Sequence, residues 1–272
     1  MTAAREIAPA KLNLALHVRG KLPDGRHAIE TVFAFCTDGD WLTFKNLGED
    51  FRHTVSVEVG GAFGADIGRS NLVMDAWYAI NEKAKLGVGA LFHLEKNLPV
   101  AAGLGGGSAD AAAALRLVTS QFSLDPAIAQ EVAPTLGSDV PACLLSLPAR
   151  GVGAGDQLTT IELGEVSGQP VLLVNPRVAL STAEVFVNWD GEDQGALGDW
   201  REGFNGLQSS AVALVPQIET VLAWLSAQPG VTLFRMSGSG ATCFALFESE
   251  EARDAAATGV PREWWHLATY LR

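Results

Sequence analysis

The 272-residue chain predicts an α+β fold in two lobes, on three observations. Segments that alternate apolar and polar residues at period two, as half-buried strands do, recur along the chain. Helical segments lie among them without the regular strand–helix–strand repeat of a parallel α/β sheet. A glycine-rich stretch over 148–170, with PARGVGAGDQ and LGEVSGQP, marks a seam that divides the chain into lobes 1–150 and 151–272.

Taken in order, AKLNLALHV (10–18) and HAIETVFAF (27–35) alternate as strands, and LPDGRH between them has the Pro, Asp and Gly of a turn. WLTFKNL (41–47) and HTVSVEV (53–59) continue the β pattern. SNLVMDAWYAINEKA (70–84) has apolar residues at helical spacing, with Ser70 or Asn71 as N-cap. ALFHLEKNLP (90–99) returns to a strand, and SADAAAALRLVTSQF (108–122) is helical because alanine is the best helix former. PAIAQEVAPTL (126–136) and DVPACLL (139–145) are shorter helices. Beyond the seam, PVLLVNP (170–176) is a strand and SAVALVPQIETVLAWLSAQ (210–228) a helix. VTLFRMSGSGATCFALFE (231–248) reads as two strands joined by a glycine loop, EARDAAATG (251–259) as a helix and EWWHLATYL (263–271) as a closing strand.

Composition excludes several classes of function. Nineteen basic against thirty-one acidic residues give a net charge of −12, which argues against a nucleic-acid or anionic-membrane partner, since basic patches supply that affinity. No apolar run approaches the roughly 18 residues of a membrane-spanning helix. Arg5, Lys11 and Asn13 interrupt any signal-peptide core at the N-terminus. Cys36, Cys143 and Cys243 form no CxxC and have no histidine at zinc-ligand spacing, so no metal-ligating set is expected. They read as buried small hydrophobes of a reducing, cytoplasmic compartment.

The chemistry concentrates in PVAAGLGGGSADAAAAL (99–115), where four of the five positions 103–107 are glycine. A Walker A loop needs a lysine before its Ser or Thr, and Gly107 precedes Ser108 here; the GxGxxG fingerprint fails because its last position is Ser108. What remains is a strand, Pro99, a glycine loop, Ser108 and an alanine helix. Glycine lets several N–H groups converge on an anion, and the helix start adds its unpaired N–H groups and positive dipole end. The alternative is a close-packed loop without a ligand, in which so many glycines would carry an entropic cost for packing alone.

This stretch resembles the phosphate-binding loop of the GHMP kinases, the family of galactokinase, homoserine kinase and mevalonate kinase. APAKLNLAL (8–16) and MSGSGATCFALF (236–247) resemble that family's other two motifs, in the family's order. The resemblance implies a two-lobed GHMP kinase fold with ATP and substrate in the cleft between the lobes. It also implies Mg2+ with the ATP. The ATP contacts would come from Pro99, Val100, Ala101, Ala102, Gly103, Leu104, Gly105, Gly106, Gly107, Ser108 and Ala109. APAKLNLALHVRGKLPDGRHAIET (8–31) and LGSDVPACL (136–144) resemble the members that phosphorylate the 2-hydroxyl of a cytidyl-diphosphate-linked methylerythritol, in the non-mevalonate route to isoprenoids.

By that resemblance Asp139 is the base that takes the hydroxyl proton, a role a carboxylate can fill; placed before Val140-Pro141, it could equally be a helix N-cap. Lys11 would hold that carboxylate ionised and stabilise transition-state charge, whereas a lysine on an alternating strand is ordinarily a solvated outward residue. Asn13 shares the face of Lys11 and could reach the same ligand. His27 would bond the cytosine edge, and Phe186 in LSTAEVF (180–186), with Thr182 nearby, would cover the base or be plain core. Arg26 stands where these members carry a stacking tyrosine; its planar guanidinium can also stack on a ring. FNGLQ (204–208) departs from the family's FNDLE and receives no role, and SGSGA (237–241) is either a loop near the phosphates or an ordinary hairpin turn. Alternative functions are another GHMP small-molecule kinase, of homoserine or mevalonate type, and a non-catalytic ATP-binding sensor.

Overall fold

The computed structural model describes residues 4–67 and 71–272. The chain divides into two units, one from residues up to Ala10 with 38–100 and 105–146, the other from 11–37, 101–104 and 147–272. The seam at 150/151 falls a few residues past the last join, at 146/147. Strand β1 (Ala4–Lys21), strand β2 (His27–Gly48) and the glycine loop each contribute to both units.

In the first unit β4 (Gly89–Glu95) lies between β3 (Val55–Gly60), to which it is parallel, and the second half of β2, to which it is antiparallel. One face carries the core: the Phe44 ring lies 5.1 Å from Phe92 and 5.7 Å from Trp77. Trp77 comes from α1 (Leu72–Ala84), which packs with α2 (Gly106–Gln121) and α3 (Pro126–Leu136), while α4 (Val140–Leu145) packs on α2 and α3. Asn71 is the α1 cap, its Oδ1 accepting from Val73 N at 2.7 Å; Ser70, the other candidate, lies outside the described residues. Ala109 and Ala111–Ala114 of α2 are buried, their small side chains admitting three neighbouring helices.

In the second unit Thr31–Phe33 of β2 pair with β5 (Ala149–Val152), which pairs with β6 (Gln157–Thr160). These strands occupy part of the glycine-rich seam, which the sequence does not mark as β. Glycine serves close approach there: a Cβ on Gly151 would lie 2.7 Å from the Phe33 ring. A four-stranded antiparallel sheet follows, in the order β10 (Trp265–Tyr270), β7 (Pro170–Asn175), β9 (Cys243–Phe247), β8 (Val231–Met236). Helices α7 (Gln217–Ser226) and α8 (Glu250–Thr258) pack on it, and α5 (Thr182–Val187) and α6 (Gln208–Leu214) complete the unit. The single helix expected over 210–228 is two, because Pro216 has no N–H to donate and holds Val215 at an extended φ −133°, ψ 84°.

The N-terminal strand departs from its sequence pattern. Residues 8–18 of β1 are buried on both faces, so the alternation does not mark a solvated side. Lys11, Asn13 and His17 are 3%, 2% and 6% exposed, which removes the outward reading of Lys11. All three cysteines are buried and form no disulfide with one another.

Candidate active site

Within the second unit the first and last motifs meet on a short segment of the middle one. Lys11 N donates to Leu104 O at 2.9 Å, and Thr242 N donates to Ala102 O at 3.1 Å, so residues 101–104 are held between β1 and the turn that joins β8 to β9. Ser237 Oγ donates to Gly103 O at 2.9 Å and accepts from Asn13 N at 3.2 Å. Gly103 has φ +77°, and a Cβ there would lie 2.3 Å from Ser237 O, so no other residue fits without a backbone shift.

Lys11 is aimed by the same network. Its Nζ donates to Asn13 Oδ1 at 2.8 Å, Asn13 Nδ2 donates to Thr31 Oγ1 at 2.8 Å, and the Thr31 hydroxyl donates to Ala15 O at 2.7 Å. Each link fixes the donor sense of the next, so the amide of Asn13 presents its oxygen to the ammonium. Asn205, from the FNGLQ segment that received no role, braces the turn: its Nδ2 donates to Met236 O at 2.7 Å and Gly238 O at 2.8 Å, and its Oδ1 accepts from Leu207 N at 2.9 Å. SGSGA is thus a β8–β9 hairpin connection that also packs on the glycine loop.

The remainder of the loop belongs to the first unit. Val100 is exposed, and Gly105, at φ 63° and ψ 21°, begins α2 without a side-chain cap. The chain therefore offers the first N–H groups of α2, from Gly106 to Ser108, without a competing internal oxygen from the cap residue, as an anion requires. Asp139 stands at the N-cap position of α4 but its side chain makes no capping bond; only its carbonyl enters the helix, accepting from Cys143 N at 3.0 Å. The half-buried carboxylate is not used as a cap. Arg116 of α2 fixes α4, donating to Cys143 O at 2.8 Å, to Glu6 Oε1 at 2.8 Å and to Ile7 O at 2.9 Å.

His27 and Phe186 come together in the second unit. Their rings stack at 4.5 Å and 22°, and Trp189 meets the His27 edge at 5.5 Å. His27 Nε2 is buried without a hydrogen-bond partner. Burial, then the nearby charge of Lys21, lowers the His27 pKa, so the ring is neutral at lower pH than an ordinary histidine. Arg26 instead pairs with two carboxylates, Asp24 Oδ2 at 2.8 Å and Asp156 Oδ2 at 3.2 Å. Thr182 Oγ1 shares a hydrogen bond of 2.8 Å with Ser239 Oγ, on the same glycine turn.

Family models for the GHMP kinases N terminal domain and for the GHMP kinases C terminal match residues 71–146 and 186–266. A Novosphingobium aromaticivorans protein named 4-diphosphocytidyl-2-C-methyl-D-erythritol kinase is 48% identical over 98% of this chain and 93% of its own. The chain belongs to the GHMP kinase family. A protein of the same name from Rhizorhabdus wittichii is 46% identical over 98% of this chain and 94% of its own. A crystal structure of 4-(cytidine 5'-diphospho)-2C-methyl-D-erythritol kinase matches at TM-score 0.84 and 29% identity, covering 98% of this chain and 99% of that one. A homoserine kinase from Cytophaga hutchinsonii matches at TM-score 0.72 and 15% identity over 100% of this chain and 95% of that one, a likeness of fold alone. As a GHMP kinase the protein is a small-molecule phosphotransferase that uses ATP. No helix among the described residues is long and apolar enough to cross a membrane.

Asn205, Ser237 and Thr31 are the residues that sequence reasoning missed. The signal for Asn205 was present as an asparagine-glycine pair in FNGLQ, yet its three bonds run mainly to carbonyls about 30 residues away.

Proposed function

We propose that this GHMP kinase transfers the γ-phosphoryl group of ATP to the 2-hydroxyl of 4-diphosphocytidyl-2-C-methyl-D-erythritol, in the non-mevalonate route to isoprenoid precursors. The observation that carries the substrate is near-full-length identity of 46–48% to proteins bearing that name.

In this reading residues 99–109 receive the phosphates of ATP through backbone N–H groups, as the uncapped start of α2 and the close backbone approach at Gly103 favour. Asp139 accepts the proton of the attacking hydroxyl, its carboxylate being spared from capping α4. Lys11, buried and aimed by Asn13, contributes positive charge where charge develops on the transferring group. Mg2+ held with the ATP phosphates at residues 99–109, Ser108 among them, would supply positive charge against the phosphate oxygens. His27 and Phe186 form the aromatic end that receives cytosine, with Thr182 and Arg26 beside it. Transfer is direct and in line, so no covalent phospho-enzyme forms. The protein acts in the cytoplasm on small molecules.

The test is ATP consumption with 4-diphosphocytidyl-2-C-methyl-D-erythritol beside homoserine, mevalonate and galactose. Turnover confined to the cytidyl compound is the expected result. Preferential turnover of any of the others would overturn the substrate assignment, and nucleotide binding without turnover of any would favour the sensor reading.

A further inference from the structure

Beneath the start of α2 lies a cluster of charges that the proposed reaction does not use. Lys96, Asp40 and Asp110 are 1%, 0% and 2% exposed. Lys96 Nζ donates to Asp40 Oδ2 at 2.5 Å and to Asp110 Oδ2 at 2.7 Å. Asp40 is fully engaged, since its Oδ1 also accepts from Asn97 N at 2.5 Å and Leu98 N at 2.8 Å. Asp110 is not: its Oδ1 is buried with no hydrogen-bond partner. The cluster abuts the first residue of the helix, where a Cβ on Gly106 would lie 2.9 Å from Lys96 Nζ and 3.7 Å from Asp40 Oδ2.

Two carboxylates against one ammonium leave one negative charge uncompensated when all three groups are ionised. That charge sits under the helix end expected to hold phosphates, and in a dry interior it repels a second anion strongly. Protonation of Asp110 would remove the repulsion and give its orphaned oxygen a proton to carry. We propose that Asp110 is a proton-coupled positioning residue of the phosphate loop: nucleotide binding at the α2 N-terminus draws one proton from solvent onto the Asp110 carboxylate. The inference rests on the reading of residues 99–109 as the phosphate site.

The electrostatics agree in direction. Burial, moderated by Lys96 and reinforced by Asp40, pushes the Asp110 pKa up to about 7. Burial opposes the charge on Lys96 too, but the two carboxylates outweigh it and raise the lysine's pKa, so the transferable proton belongs to Asp110. The helices packed against α2 bring no further charge to it: Asp75, Glu82 and Lys83 of α1 and Glu131 of α3 are exposed, and Val140–Leu145 of α4 has no charged residue. Arg116, on α2 itself, is paired with Glu6.

An anion beside Asp110 raises its pKa further, so uptake is largest at a pH between the free value of about 7 and the higher bound value. Calorimetric titration of the whole protein with the magnesium complex of a non-hydrolysable imido analogue of ATP, in buffers of different ionisation enthalpy, reads the proton count directly. The wild type should take up between about 0.3 and one proton, and affinity should weaken by up to about tenfold per pH unit above neutrality. Asp110→Asn removes the titrating group, and Asp40→Asn leaves a neutral Lys96–Asp110 pair; uptake should vanish in both. Zero uptake by the wild type, or equal uptake by wild type and Asp110→Asn, overturns the coupling and leaves the cluster a structural strut. Failure of the wild type to bind the analogue at all overturns the phosphate-site reading instead.

Discussion

Replacing Asn205 by alanine tests whether the glycine turn is held from outside. The side chain is 4% exposed and makes three hydrogen bonds, donating to Met236 O and Gly238 O and accepting from Leu207 N. Alanine leaves two carbonyls and one N–H without these partners in a buried place. Each such bond contributes about 1 kcal/mol net, and each group stranded away from water costs about 1–3 kcal/mol, so the sum after local relaxation is about 3 kcal/mol. In a chain of this size about 2–4 °C of Tm goes with each kcal/mol, which gives a fall of roughly 6–12 °C. Because Ser237 on that turn holds Gly103 O and Asn13 N, the KM for ATP should also rise several-fold at temperatures where the variant is fully folded. Asn205→Asp keeps the acceptor for Leu207 but turns the donor into a second acceptor facing two carbonyls, and should lose at least as much. Thermal unfolding and initial rates at low temperature read both effects. A variant Asn205→Ala within about 1 °C of the wild type, with unchanged KM for ATP, would refute the bracing role.

Other substitutions probe the remaining roles. Asp139→Asn and Lys11→Ala should each lower kcat by orders of magnitude while ATP still binds; near-normal turnover in either removes that residue from the mechanism. Arg26→Ala should raise the KM for the cytidyl substrate roughly 2- to 30-fold with little change in kcat, the loss of a cation–π contact of about 0.5–2 kcal/mol. An unchanged KM would assign the guanidinium to Asp24 and Asp156 alone. For His27 the folded pKa is lowered, so below about pH 6.5 the unfolded chain binds the proton first and stability falls as the pH falls. Denaturant titrations from pH 7.5 to 5 should show that slope flattened in His27→Gln; parallel curves would place the acid sensitivity elsewhere.

The sequence by itself determined the glycine loop, the helix that follows it and the family, because these rest on residues adjacent in the chain. Glycine permits a conformation directly, and Gly103 at φ +77° needs one no other residue adopts freely. Alanine favours helix directly, and α2 begins two residues before the expected Ser108. Only the tertiary structure decided what those residues touch. The period-two pattern of β1 suggested a wet face, and Lys11 is buried because a strand covered on both sides keeps the same local pattern when its polar residues are paired. Asn13 and Ser237 bond across 224 positions, and Ser237 and Gly103 across 134, separations that leave no periodicity to read. Strands β5 and β6 hid in a glycine-rich seam because glycine there makes room for Phe33 rather than for motion. The pairing of Lys96 with Asp40 and Asp110 was invisible for the same reason: a carboxylate's partner is chosen by the packing of distant elements, and its charge state by the burial that packing imposes.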